Sequence, residues 1–241
     1  MRFFKSGLVG FRHFAGRAVL LGTMTCGIAV LGLASIGSAY IGSAYAEEVL
    51  ADNGKFIEGE HYELLPIAVD TADSESLEVV EVFSYMCVHC YNFDPAVSAW
   101  SAAQADNVNF VRVPAIFNND WESLAQAYYT AEVLGVSEEV HMPIFNSIHA
   151  KQLDLRRPEL LAKLFADEAS VSQEGFDQAF NSFSVRSRVQ QAKAKGRAYR
   201  VTGVPTLIVN GKYRVDGKMA GNNTRMLQVV DFLVAKEAAG G

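Results

Sequence analysis

Cysteine is nearly absent: the 241-residue chain has three, Cys26, Cys87 and Cys90. A tetrahedral zinc site draws on about four ligands, usually two C-x-x-C pairs or one pair with two suitably spaced histidines. There is no second pair, and His89 lies between Cys87 and Cys90, where its ring points away from a shared site. His141 and His149 are eight residues apart, off the i, i+4 spacing that stacks two ligands on one helix face. No metal is expected. Basic residues are also short, 21 against 27 acidic, which argues against nucleic acid as a partner because phosphate binding needs a basic face.

A third shortage defines the N-terminus: no acidic residue precedes Glu47. Arg2, Lys5, Arg12 and Arg17 open the chain, an apolar run extends from Ala18 to about Ile36, and small residues lead to Ala44-Tyr45-Ala46. That order is the signature of a secretory signal peptide, so residues 1–46 are expected to be removed on export. The apolar run is nearly long enough to span a bilayer, which leaves an uncleaved anchor as the alternative. Removal takes four of the 21 basic residues, leaving 17 against 27 acidic and a net charge near −10. Cys26 departs too, and it lacks the leucine-small-small context of a lipoprotein cysteine. The exported chain then holds only Cys87-Val88-His89-Cys90, in a compartment where a disulfide is chemically allowed.

As a structural staple this pair is poor, because so small a loop removes little denatured-chain entropy. Its setting favours redox chemistry. LEVVEVFSY (77–85) reads as a strand and YNFDPAVSAWSAAQA (91–105) as a helix, with Asp94-Pro95 marking a kink. The cysteines fall where the strand ends and the helix begins. A helix N-terminus offers unpaired N–H groups and the positive end of a dipole, both of which favour a thiolate. Cys87 is expected to be the exposed attacking sulfur and Cys90, one turn deeper, the resolving one. His89 adds a donor or a positive charge. Stabilising the thiolate makes the disulfide more oxidising.

FSYMCVHCYNFDP (83–95), together with TGVPTLIVNGKYRV (202–215), resembles the DsbA-type periplasmic thiol:disulfide oxidoreductases of the thioredoxin superfamily. The likeness runs from about Gly54 to the C-terminus and includes an entry strand, FIEGEHYELL (56–65). It implies that the Val204–Pro205 bond is cis, beside the cysteines, with the Val204 backbone open to an extended substrate. The residues alone permit an ordinary trans proline starting a strand. The likeness also implies that Glu81 and Asp94 help move protons near the resolving cysteine and affect the thiolate; a solvated strand or helix face is the alternative. Val88 replaces the family's common proline, and Met86 a frequent aromatic or glycine. Both bear on oxidising strength.

The function implied is a dithiol oxidase in the periplasm of a Gram-negative bacterium. It would donate the Cys87–Cys90 disulfide to exported, cysteine-containing polypeptides through a mixed disulfide, without a cofactor. A DsbB-type membrane quinone reductase would reoxidise it. A periplasmic reductase or isomerase is the nearest alternative, although isomerases of this compartment add a dimerisation domain for which the chain has no room. A peptide-binding chaperone with a structural disulfide is the alternative of another class. With no coiled coil or dimerisation module visible, a monomer is expected.

The rest of the pattern fits an α/β chain. A strand is expected at 108–117, then helices at 121–136, from Ser137 through about 153, at 158–169, after Ser172, and at 185–201. Beyond Pro205 come two strands joined at Asn210-Gly211, a tight-hairpin signal, and a helix from Asn222. The expectation is a thioredoxin fold interrupted by an inserted α-helical subdomain, with 47–117 and 202–241 forming the first and 118–201 the second.

Overall fold

Leu77–Phe83 (β2) is rich in valine, and every residue after Leu77 is buried. A strand buried on both faces belongs at the centre of a sheet. It pairs in parallel with Val108–Pro114 (β3) and antiparallel with Thr206–Val209 (β4). Tyr213–Asp216 (β5) pairs antiparallel with β4, and Glu63–Leu64 (β1) with β5, giving the order β1-β5-β4-β2-β3. The computed structural model describes residues 56–240 apart from Ser74. The leader read at 1–46, with Cys26, lies outside the described residues.

Val88–Ala102 (α1) connects β2 to β3. Between β3 and β4 run Asn119–Leu134 (α2), Ser137–His149 (α3), Pro158–Ala169 (α4), Gln173–Phe180 (α5) and Phe183–Ala198 (α6). After β5 come a short turn of helix, Gly217–Ala220 (α7), and Asn223–Ala238 (α8). Asn118, Ser172, Ser182 and Asn222 cap α2, α5, α6 and α8 by accepting a backbone N–H three residues on.

Three expectations need correction. The entry strand over 56–65 shrinks to two residues: Gly59 turns the chain at φ 82°, and its N–H donates to the Tyr62 carbonyl at 2.8 Å. Helix α1 begins three residues earlier than expected, because Cys87 itself supplies the cap. The strand expected to reach 117 stops at Pro114. The Asn210-Gly211 hairpin is present, with φ 49° and 62°. Gly211 is needed twice over, since a Cβ there would sit 1.9 Å from the Val69 carbonyl oxygen.

Apolar side chains on the two faces of the sheet build two cores. Val79, Leu207, Val209 and Val215 pack with Val97 of α1 and Met226, Val230 and Leu233 of α8. Val80, Val82 and Ile208 pack with Leu124, Phe145, Leu161, Phe165, Phe176 and Val189 of the inserted helices. The insertion therefore shares a core with the sheet. Strands β3 and β4 flank β2 on opposite sides, so the C-terminal end of β2 is where the connections diverge, the usual place for a site in an open α/β sheet.

Candidate active site

Cys87 stands at that end. Its backbone is extended (φ −97°, ψ 114°), its N–H donates to the Ser84 carbonyl at 3.0 Å, and its sulfur accepts the Cys90 N–H at 3.4 Å. The Cys87 thiol in turn donates to the Val204 carbonyl at 3.4 Å, across from the cis Val204–Pro205 bond. Cys87 is half-buried and Cys90 is 0% exposed; both are free thiols. Val88 and His89 are exposed, while Met86 packs against the core that the insertion shares.

The two sulfurs are driven apart in acidity. A hydrogen bond from the Cys90 thiol, set against burial and joined by the Cys90 and His89 backbone N–H groups and the His89 charge, brings Cys87 down to about 6. Burial pushes Cys90 far up, and its hydrogen bond to Cys87 and the Cys87 charge add to the rise. One sulfur is built to be a thiolate and the other to hold a proton. His89 contributes here more through its backbone N–H than through its charge.

Glu81 and Asp94 are 1% and 4% exposed, so neither lies on a solvated face. Arg112 of β3 ties them together: Nε donates to Glu81 at 3.0 Å, and Nη2 donates to Asp94 at 3.1 Å and to the Ser98 hydroxyl at 2.7 Å. Burial lifts Glu81 to about 7 against the pull of Arg112, with the charges of Asp94 and Cys87 adding to the lift. Burial acts on Asp94 in the same sense, but there the hydrogen bond and charge of His141, then Arg112 and Ser98, outweigh it and hold the carboxyl below its ordinary value.

Sequence reasoning missed the partners that hold these groups. His141 reaches Asp94 through Nε2 at 2.9 Å and the Tyr85 hydroxyl through Nδ1 at 2.8 Å. His149 donates through Nε2 to the Tyr85 carbonyl at 2.8 Å and stacks on Tyr91, whose hydroxyl donates to Asn146. The spacing of His141 and His149 in the sequence speaks only against metal ligation. Their spacing around Phe145 puts all three on one face of α3, against Tyr85 and Tyr91. Arg112 had a visible signal as the sole charge in VNFVRVPAIF; its partner came from the register that sets it opposite Glu81.

Residues 78–233 match the family model of the DSBA-like thioredoxin domain. The thiol:disulfide interchange protein DsbA of Azotobacter vinelandii is 40% identical over 179 residues, spanning 74% of this chain and 83% of that protein. The protein of the same name from Pseudomonas aeruginosa is 40% identical over 181 residues, 75% of this chain and 85% of that one. Among solved structures, that of Pseudomonas aeruginosa DsbA superposes with a TM-score of 0.74 at 39% identity, covering 77% of this chain and 96% of that chain. The oxidoreductase DsbA of Xylella fastidiosa gives 0.72 at 37% identity, covering 76% and 98%.

Proposed function

The chain belongs to the DSBA-like thioredoxin domain family, and we propose that Cys87 and Cys90 are its exchanging pair. The protein is a thiol:disulfide oxidoreductase with a thioredoxin-like fold, an interchange protein that acts as a disulfide oxidase on cysteine-containing substrates. The observation that carries the site assignment is the asymmetry of the pair: Cys87 is half-open at the start of α1, whereas Cys90 is sealed one turn deeper.

In the oxidised enzyme a substrate thiolate attacks the Cys87 sulfur. The Cys87–Cys90 bond breaks, a bond between substrate and Cys87 forms, and Cys90 leaves with the electron pair. Cys90 cannot stay charged in its buried position, so it takes up a proton. The proton comes from Glu81, which keeps its own up to about pH 7 and, once ionised, bears on Cys90 through its charge. A second substrate thiolate then attacks the substrate sulfur of the mixed disulfide and expels the Cys87 thiolate. A sulfur whose pKa is about 6 is a good leaving group. The substrate gains a disulfide and the enzyme gains two reduced sulfurs. Val204 and Pro205 line the approach to Cys87, and Asp94 acts at a distance by holding Arg112. Val88 and Met86 form the exposed and the packed rim.

Residues 47–117 and 202–241 would form the exchanging module and 118–201 its helical cover. The leader, 1–46, would direct the chain to the periplasm of a Gram-negative bacterium, where a DsbB-type membrane quinone reductase would reoxidise the pair and the enzyme would act as a monomer. Among the described residues no helix is long and apolar enough to cross a membrane.

Two variants test the roles. Cys90→Ala enzyme mixed with a disulfide-bearing peptide is expected to accumulate a mixed disulfide at Cys87. Cys87→Ala enzyme should trap none, because its remaining thiol is buried. The reverse pattern would overturn the assignment.

A further inference from the structure

Beside the Val204–Pro205 loop lies a groove of about 1000 Å³ that the exchange chemistry does not use. Val201 and Thr202 line it, three and two residues before the Val204 whose carbonyl accepts from Cys87. Its apolar surface includes Leu64 and Phe117, which are 51% and 48% exposed. Its charged lining is mostly basic: Lys193, Arg197, Arg200 and Arg214 against Glu58 and Glu63. Lys193 is engaged by Glu122 and Arg214 by Glu63, each pair within 2.7 Å. Arg197 and Arg200 are exposed and have no carboxylate partner among the described residues. In a chain with net charge −6, this is a local reversal of sign that reaches to within two residues of Val204, the residue whose carbonyl accepts from Cys87.

The backbone at Arg200 makes a clean control substitution available. Arg200 follows the end of α6 in the left-handed region, φ 52°, where the Val201 N–H closes back on the Gly196 carbonyl. Glycine is the residue that this position favours.

We propose that this groove is an accessory docking site for acidic stretches, interspersed with apolar side chains, of the polypeptide being oxidised. The apolar floor takes the side chains and the unpaired guanidinium groups take the carboxylates. Strand β1 ends the sheet and its Glu63 and Leu64 line the groove, so an extended chain lies beside a sheet edge. The proposal rests on exchange at Cys87 and deepens it by naming a substrate class.

The test uses oxidised full-length protein and three dithiol peptides that differ only in their flanks: Glu/Leu-rich, Ser/Gly-rich and Lys/Leu-rich. Wild type is expected to oxidise the Glu/Leu peptide fastest at low salt. Replacing Arg197 and Arg200 together by Glu should slow that peptide by about threefold to tenfold and speed the Lys/Leu peptide, with the Ser/Gly peptide unchanged. Arg200→Gly should also slow the Glu/Leu peptide while keeping or raising the unfolding temperature, which separates docking from folding. A Glu/Leu preference that survives the double substitution overturns the proposal. So does the absence of preference in wild type, or Arg197- and Arg200-dependent binding to phosphatidylglycerol vesicles without a peptide preference. If the Ser/Gly peptide is not oxidised at all, the exchange reading fails instead.

Discussion

Glu81 of β2 and Arg112 of β3 stand opposite each other in the parallel register, joined through Nε at 3.0 Å. The same guanidinium holds Asp94, so one partly buried cation serves two buried carboxylates. Asp94 has His141 as a further partner, whereas Arg112 is the one cation that Glu81 contacts among the described residues. Burial, with the charges of Asp94 and Cys87 adding to it, outweighs the pull of Arg112, which is why Glu81 titrates near neutrality rather than near its ordinary 4.5. Strand register thus places a group with a mobile proton close enough to the sulfurs to act on both.

Removing Arg112 should be costly. Arg112→Met strands Glu81 and takes one partner from Asp94, carboxylates that are 2% and 5% exposed at the side chain, and breaking such a buried arrangement typically costs about 3–5 kcal/mol. Lysine does not substitute, because a single ammonium cannot reproduce the fork that reaches Glu81, Asp94 and Ser98 at once. Adding Glu81→Gln to Arg112→Met should recover part of the loss. Denaturant unfolding of the four proteins checks this; an additive double variant would mean that the pair is not coupled.

Glu81→Gln isolates the proton. Burial raises the folded pKa to about 7 from 4.5, so between those values the unfolded chain is ionised while the native carboxyl keeps its proton. Native stability from this group therefore falls as pH rises from about 4.5 to 7 and is level beyond. The glutamine variant should lack that slope. It should also oxidise substrate more slowly by a factor on the order of ten or more, since the departing Cys90 loses its proton source. Stopped-flow rates below pH 7 read the second effect; an unchanged rate there would remove Glu81 from the mechanism.

The strand–helix junction at Cys87 and Cys90 was legible because both halves are local patterns: a valine-rich run, then a helical one. Glu81 came from the family resemblance rather than from a local pattern, since Glu78 is a second charge in the same run. What holds it came from neither. Arg112 is 31 residues away and reaches Glu81 only through the β2–β3 register, which no local pattern contains. His141 lies 47 residues from Asp94 and meets it only because α3 packs against the site. The over-long entry strand failed on a single residue: Gly59, read within a β-type run, turns the chain instead.

His141→Leu tests that distant contact. It leaves the Tyr85 hydroxyl and one side of Asp94 without their 2.8 and 2.9 Å partners, a loss of about 1–3 kcal/mol for buried polar groups left unpaired. The folded pKa of Asp94 lies below its ordinary 3.8, with His141 the leading cause opposing burial. The stability this contributes is present above the ordinary value and lost as pH falls through the folded one. Acid unfolding of the variant should begin at a higher pH than that of wild type. Coincident acid transitions would show that Arg112 and Ser98 suffice to hold Asp94.

The cysteines predict a stability difference between redox forms that changes direction with pH. In the reduced protein Cys87 titrates at about 6 rather than 9.0. Between those values the unfolded chain keeps a proton that the native state has released, so reduced-state stability rises with pH across this window and is lost as pH falls through about 6. Above about 9 the sign reverses. Burial keeps Cys90 a thiol in the native state while the unfolded chain ionises at its ordinary 9.0, so the native state then binds the extra proton. The oxidised protein has neither thiol and shows neither slope. To first order the Glu81 contribution is common to both forms and cancels in their difference. Reduced minus oxidised stability should therefore climb from about pH 6, level off near 9 and decline beyond. Parallel denaturant titrations of the two forms measure it. A difference that stays flat through neutrality would mean that the start of α1 does not hold Cys87 as a thiolate.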